Sequence, residues 1–331
     1  MAILTVALGA CGSDDDGSPP QRTQGACDRT ASPGAGAAQR LVDSLQPGEV
    51  GCLRAGTYRE AVRIEASGAP GRPITLQPRP GEHATLLGPL EIPRDTEHVV
   101  VRGLSLDGRN SQNGPSPIVN GRDVRFVDND VTNAHTAICF ALGNPDFGVA
   151  RDVTIERNRI HDCGRLPAIN LEHGVYVGLA RNTRVVDNWI YANADYGVQL
   201  YPDARGSLVA GNVIDGNGEG IVFGGTKAAA ARENVVEGNV ISNSRIRFNL
   251  EWNWEGPVGR DNVARRNCIG GGVRDEGNGG IMEPEVGLSA QGNVIAAPAF
   301  RGPGDYRLKP RSACAKVFTG DRDRVPGPAA S

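Results

Sequence analysis

From residue 127 to residue 295 short alternating apolar runs are split by Gly, Asn and Asp, and one phrase keeps returning. It reads VDNDV at 127–131, ERNRI at 156–160, VDNWI at 186–190, AGNVI at 210–214, EGNVI at 237–241, ARRNCI at 264–269 and QGNVI at 291–295. Its asparagines, Asn129, Asn158, Asn188, Asn212, Asn239, Asn267 and Asn293, stand 29, 30, 24, 27, 28 and 26 residues apart. A second phrase lies between copies of the first: HTAIC from 135, HGVYV from 173, YGVQL from 196, EGIVF from 219, SRIRF from 244 and GGIME from 279. Alternation predicts half-buried strands. No helix of useful length separates them, which excludes an array of βαβ units. A coil of about three short strands per turn, each turn stacked on the last, is the economical arrangement. Asparagine tolerates the left-handed conformation that a tight corner requires, and stacked amides can bond from turn to turn.

Parity divides the second phrase into inward and outward columns. Val175 and Val177 match Val198 and Leu200, Ile221 and Phe223, and Ile246 and Phe248, with Ala137 and Cys139 in the earlier turn. Ile138, Tyr176, Gln199, Val222, Arg247 and Met282 then lie outward. Gly174, Gly197, Gly220 and Gly280 form a column that either leaves a bare strip for an extended polymer or supplies positive φ at a corner.

The recurring GNxI and GI/GV grammar resembles the right-handed parallel β-helix family of bacterial surface proteins and carbohydrate-active enzymes. LRAGTYREAVRIEASGAPGRPITLQPRPGEHATLLG, 53–88, resembles the opening turns of polysaccharide lyases of that fold, and GDYRLKPRSAC, 304–314, their last strand and exit. The resemblance covers roughly residues 27–320. It implies an all-β solenoid, a right-handed parallel β-helix of eight to ten turns, roughly 40–50 Å long at about 4.8 Å per turn. It brings no catalytic residue onto a matching position. A short helix from about Ala37 to Leu45, apolar at 38, 41, 42 and 45, would cover the first turn.

Composition adds a compartment. The net charge of −3 gives no electrostatic case for nucleic acid. MAILTVALGAC carries an apolar run too short to span a bilayer but suited to a signal segment. LGAC, 8–11, resembles the lipobox of bacterial lipoproteins, which implies a lipidated Cys11, although no basic segment precedes it. Expected boundaries are a signal segment at 1–11, a tether at 12–26, the β-helix at 27–320 and a tail at 321–331. Lipidation of Cys11 leaves six cysteines, an even number suited to an oxidising compartment. Neighbourhood in sequence favours Cys27–Cys52, Cys139–Cys163 and Cys268–Cys314. An exported chain, tethered at the cell surface by lipid alone or secreted, and monomeric, is expected.

Two groups carry candidate chemistry. The first is Tyr176 with Glu172, His173, Gln199 and Tyr201. Histidine and tyrosine both serve in proton transfer, and Tyr176 breaks the repeat where other turns carry Gln, Val, Arg or Met. His173 and His135 share inward parity, so a bonded corner histidine is the competing reading. The second is Arg245, Arg247, Asn249 and Glu251 with Trp252 and Trp254 in an expected loop. Arginine clamps carboxylates and indoles offer an apolar face with a polar handle, a set that suits an acidic sugar with His135 in support. Lys227 could reach the same face. No cofactor is implied; no Asp/Glu cluster for calcium stands out, which leaves a calcium ion open. The expected partner is a polysaccharide or cell-envelope glycan. The reading leans to a lyase, hydrolase or epimerase on an extended, acidic glycan, against a non-catalytic glycan- or envelope-binding lipoprotein. Helping to assemble a metal enzyme fits poorly, because the chain holds only Met1 and Met282 as methionines and no His/Met-rich patch.

Overall fold

The computed structural model describes residues 26–254, 259–283, 286–318, 320 and 327; Cys11 and the signal segment lie outside them, as does the side chain of Trp254. The chain is a right-handed parallel β-helix. One wall is a ten-stranded parallel sheet running from Gly56–Arg59 to Val294–Ile295. The remaining strands of each turn form a larger parallel sheet that bends around the other sides. One turn shows the plan: Val175–Arg181, a corner, Arg184–Val186, an asparagine corner, Trp189–Tyr191, then a loop back to the next turn. Inward side chains fill the coil with an apolar stack, for instance Val175 on Val198, Ile221 and Leu250.

The asparagine corners work differently from the sequence expectation. The left-handed residue is the one before each asparagine: Asp128, Arg157, Asp187, Gly211, Gly238, Arg266 and Gly292 have φ between 53° and 70°. Each asparagine is thereby turned inward. The backbone N–H and side-chain amide of Asn129 donate to Asn158 Oδ1 at 2.8 and 2.9 Å, and the pattern continues through Asn188, Asn212, Asn239 and Asn267 to Asn293. The buried polar groups of the corner are thus bonded along the rod.

A second corner has a grammar of its own. Arg122, Arg151, Arg181, Arg205 and Arg232 follow one another in register, and each precedes a left-handed residue: Asp123, Asp152, Asn182, Gly206 and Glu233. Acids interleave with the arginines. Arg122 pairs with Glu97, and Arg181 and Arg205 share Asp203. The result is a solvated ladder of mixed charge.

The expected helix spans Ala37–Ser44 and buries Ala38, Leu41 and Val42 over the first turn. Cys27–Cys52, Cys139–Cys163 and Cys268–Cys314 are bonded. The glycine column divides: Gly280 has the left-handed φ of +70° that a corner requires, whereas the other three are held by close approach and leave no bare strip. Gly174, Gly197 and Gly220 have no positive φ, and a Cβ on each would lie within 2.8 Å of Asn193 Nδ2, 2.6 Å of Ile214 Cγ2 and 2.1 Å of Asn249 O. Glycine is required there by close approach.

A C-terminal hairpin, Phe300–Gly302 with Asp305–Leu308, folds back onto the ten-stranded sheet. Its Tyr306 packs on Trp189 and Tyr191, with ring centroids 5.5 and 4.9 Å apart. Beside it His161 stacks on Tyr191 and bonds Asp130 at 2.7 Å and Asp162 at 2.8 Å. Burial disfavours the charged ring, but the bonds to the two carboxylates outweigh it and raise the pKa of His161. Burial likewise opposes charge on Asp130, where His161 and Arg159 prevail and lower its pKa. A raised histidine contributes stability that is fully present below its unfolded pKa and lost as pH rises through the folded one. A lowered aspartate contributes stability present above its unfolded pKa and lost as pH falls through the folded one. The stability gap between the native chain and His161→Gln is therefore expected to be widest between about pH 4 and 6.5 and to narrow on either side. Urea titrations across pH check this; a gap that keeps widening above pH 8 would contradict it.

Candidate functional site

The repeat predicts an apolar inward stack at every turn, yet at the head of three adjacent strands the inward corner positions are polar or aromatic. His173 precedes Val175–Arg181, Tyr196 opens Tyr196–Arg205, and Glu219 opens Glu219–Gly224 in register with Tyr196. All three are at most 2% exposed. The His173 ring lies 5.0 Å from that of Tyr196 and 5.9 Å from that of Tyr176. One of its nitrogens bonds Gln199, and Nδ1 has no hydrogen-bond partner. Burial lowers the His173 pKa to about 3 against the smaller opposing effect of Gln199, so the ring is neutral at ordinary pH. Tyr176 is half-buried; burial, then the neighbouring Tyr201, push its pKa up to about 12.

The far end of the seam is ionic. Tyr196 bonds Glu219, Glu219 bonds Glu251, and the Arg247 guanidinium lies over both carboxylates. Arg247 Nε donates to Glu251 Oε2 at 3.1 Å and lies 3.7 Å from Glu219 Oε2, and its Nη2 donates to Glu251 Oε1. Burial, followed by the adjacent Glu251, raises the Glu219 pKa strongly; Arg247 and Glu219 act against the rise that burial causes at Glu251. Two carboxylates in contact resist ionising together in such a place, and the two donors that Arg247 gives to Glu251 favour Glu251 as the charged member. Burial alone would lower the Arg247 pKa, but Glu251 and Glu219 prevail and raise it.

Several sequence expectations change. Glu251, not Arg247, stands in the outward column: Tyr176 pairs with Gln199, Gln199 with Val222, and Val222 with Glu251. Leu250 and Trp252 continue the inward stack in place of Ile246 and Phe248, and Phe140 and Leu142 take the places given to Ala137 and Cys139. Trp252 is therefore a core residue, 1% exposed, in the strand Leu250–Trp254 rather than in a loop. Asn249 fastens the loop before that strand: it accepts from Ser244 N and donates to Gly271 O and Gly279 O. These bonds fix the register that alternation left ambiguous. Glu172 is buried and held by Arg165, whose backbone N–H and Nε both donate to it. Arg245 is exposed and donates to Asn193 O. His135 faces Gly164 O and Asp162. Gln199 is buried, whereas Tyr176, Tyr201, Arg245, Arg247 and His135 are at least partly exposed among the described members of the expected groups. Lys227 is exposed. Among the described residues no three His, Cys, Asp or Glu side chains gather to hold a metal ion.

Tyr196 and Glu219 escaped sequence reasoning although their signal was present. They occupy the position of His173 in the repeat, directly before the glycine.

The model of the family described as right handed beta helix region matches residues 106–275. Among solved structures the fold is similar to that of pectate lyase Pel9A, at TM-score 0.55 and 13% identity over 90% of this chain and 94% of that one. An alginate lyase from Paenibacillus sp. str. FPU-7 follows at TM-score 0.48 and 16% identity, over 81% and 99% of the two chains. The A-module of the Azotobacter vinelandii mannuronan C-5 epimerase AlgE4 stands at 0.40 and 14%, over 82% and 98%. No curated protein sequence matches the chain.

Proposed function

From the premise that the chain belongs to the right-handed beta helix family, we propose that it is an exported, carbohydrate-active protein that acts on a glycan at the Tyr176 end of the polar seam. The observation that carries the reading is the seam itself. Buried His173, Tyr196 and Glu219 stand in series at inward positions, with Glu251 bonded to the last of them, and titrating groups gathered this way in a buried seam mark a functional site. The pectate lyase of similar fold makes a polysaccharide the natural substrate class, and the three disulfides suit an oxidising compartment. A lipid on Cys11 would hold a monomer at the cell surface.

Tyr176 keeps its proton at neutral pH, because burial raises its pKa. It therefore serves as a donor, giving a hydrogen bond or a proton to a departing glycosidic oxygen, as a lyase or hydrolase step requires. His173 acts behind it: a neutral ring bonded to Gln199 sets the orientation of the residues around the phenol. Tyr201 and Arg247 meet the sugar on either side.

One observation favours the alternative, a glycan-binding lipoprotein without turnover. Neither His173, with a pKa near 3, nor Tyr176, near 12, accepts a proton readily at neutral pH. Incubation with a panel of acidic and neutral polysaccharides, followed by unsaturated-product absorbance and reducing ends, separates the two. Turnover is expected, and Tyr176→Phe is expected to lower it at least about a hundredfold with an unchanged melting temperature. Unchanged turnover in the variant would remove Tyr176 from the chemistry. Retained binding with no turnover on any polysaccharide would establish the binding protein.

A further inference from the structure

We infer that Arg247 is a proton-coupled gate: it leaves the buried Glu219–Glu251 pair to hold an anionic group on a sugar unit, and the pair takes up a proton as it does so. The inference rests on the glycan reading and names the class of sugar.

The charges at the site are sorted by depth. Glu219 and Glu251 have side chains 2% and 1% exposed, while the Arg247 side chain above them is 37% exposed. The same holds in the loop before Val175–Arg181, where Arg165 at 53% covers Glu172 at 9%, and Arg245 is exposed as well. Carboxylates are recessed and guanidinium groups form the rim, so the surface met by a ligand is cationic. Arg247 stands on the loop between Val240–Ser244 and Leu250–Trp254, and a planar fork can exchange one carboxylate for another.

The groups facing the pair come from three elements: Tyr196 from its own strand, Arg247 from the loop, and each carboxylate from its neighbour's strand. Arg247 is the cation among them. With it in place the pair holds one proton and one negative charge, balanced by the guanidinium. Drawn to a ligand carboxylate or sulfate, Arg247 leaves the Glu251 charge uncompensated in a buried site, where an unpaired charge is costly. Glu251 then takes a proton from solvent and the pair becomes neutral. Ligand anion and guanidinium balance one another, and one proton enters.

The test is calorimetric titration of the full chain with an oligogalacturonate tetramer and with neutral cellotetraose, in buffers of different protonation enthalpy between pH 6 and 8. The acidic tetramer should bind with uptake of about one proton, its affinity falling roughly tenfold per pH unit as pH rises; the neutral tetramer should bind without uptake. Arg247→Gln should lose the preference for the acidic tetramer together with the uptake. Glu251→Gln, which keeps the shape of the pair without its charge, should bind the acidic tetramer with no uptake. Binding of the acidic tetramer to the native chain without proton uptake overturns the gate and leaves the glycan reading standing. Binding of neither tetramer, with no turnover on the polysaccharide panel, overturns both.

Discussion

Asn212→Ala is expected to cost the fold about 3–6 kcal/mol, from three buried groups left unbonded at roughly 1–2 kcal/mol each. The side-chain oxygen of Asn212 accepts from the backbone N–H and the amide of Asn188, both at 2.9 Å. Its own amide donates to Val185 O at 2.8 Å and to Asn239 Oδ1 at 2.9 Å. Asn188, Asn212 and Asn239 are 0% exposed, so water cannot replace what alanine removes. Asn212→Asp should do no better, because it deletes the donor and adds a charge to a dry corner. Ser111→Ala, at an exposed position, is the control. Urea unfolding gives the difference directly; a cost below about 1 kcal/mol would mean that the turns hold together without the ladder.

Gly220→Ala should be comparably harsh, and for a different reason. A Cβ there falls 2.1 Å from the carbonyl oxygen of Asn249 and 2.7 Å from Ile241 Cγ2. That carbonyl accepts from Ile221 N at 3.0 Å, and Gly220 N itself donates to Phe248 O at 3.1 Å. The clash is therefore with backbone that the sheet already holds, and relief means breaking the pairing of two turns. A loss beyond about 3 kcal/mol is expected, read as a lower melting temperature or a failure to recover folded protein. Gly216→Ala separates the causes. Gly216 has φ +61° and nothing within 4 Å of the added Cβ, so it costs only the left-handed penalty of roughly 1–2 kcal/mol. Equal effects at the two positions would show that steric approach is not why residue 220 is glycine.

The coil was legible because it is written seven times. One asparagine every 24 to 30 residues and an alternating run after it point to one turn of a solenoid, and the helix Ala37–Ser44 and the cysteine pairs follow from neighbourhood. Register was not legible. SRIRFNLEW holds two overlapping alternating runs, and parity alone cannot choose between Ile246 and Leu250 for the core. The choice is made by the three bonds of Asn249, which join residues up to 30 apart. The site suffered from the same cause. Tyr176 stood out by differing from its column, whereas Glu219 and Tyr196 looked like variants of the His–Gly grammar. Only stacking shows that His173, Tyr196 and Glu219 touch in series. The arginine corner was missed because its partner residue varies among Asp, Asn, Gly and Glu, all of which adopt the left-handed turn here.

The asparagine corners have a bearing on how such a chain can change. Turns differ by up to six residues in length, from 24 to 30, yet the asparagines meet at 2.8–3.0 Å throughout. Every surplus residue is expelled into the loops, among them 164–172 and 244–249, which carry Arg165, Glu172, Arg245 and Arg247. One side of the molecule keeps time while the other is free to vary its content. New specificities can therefore be written into the loops without disturbing the count.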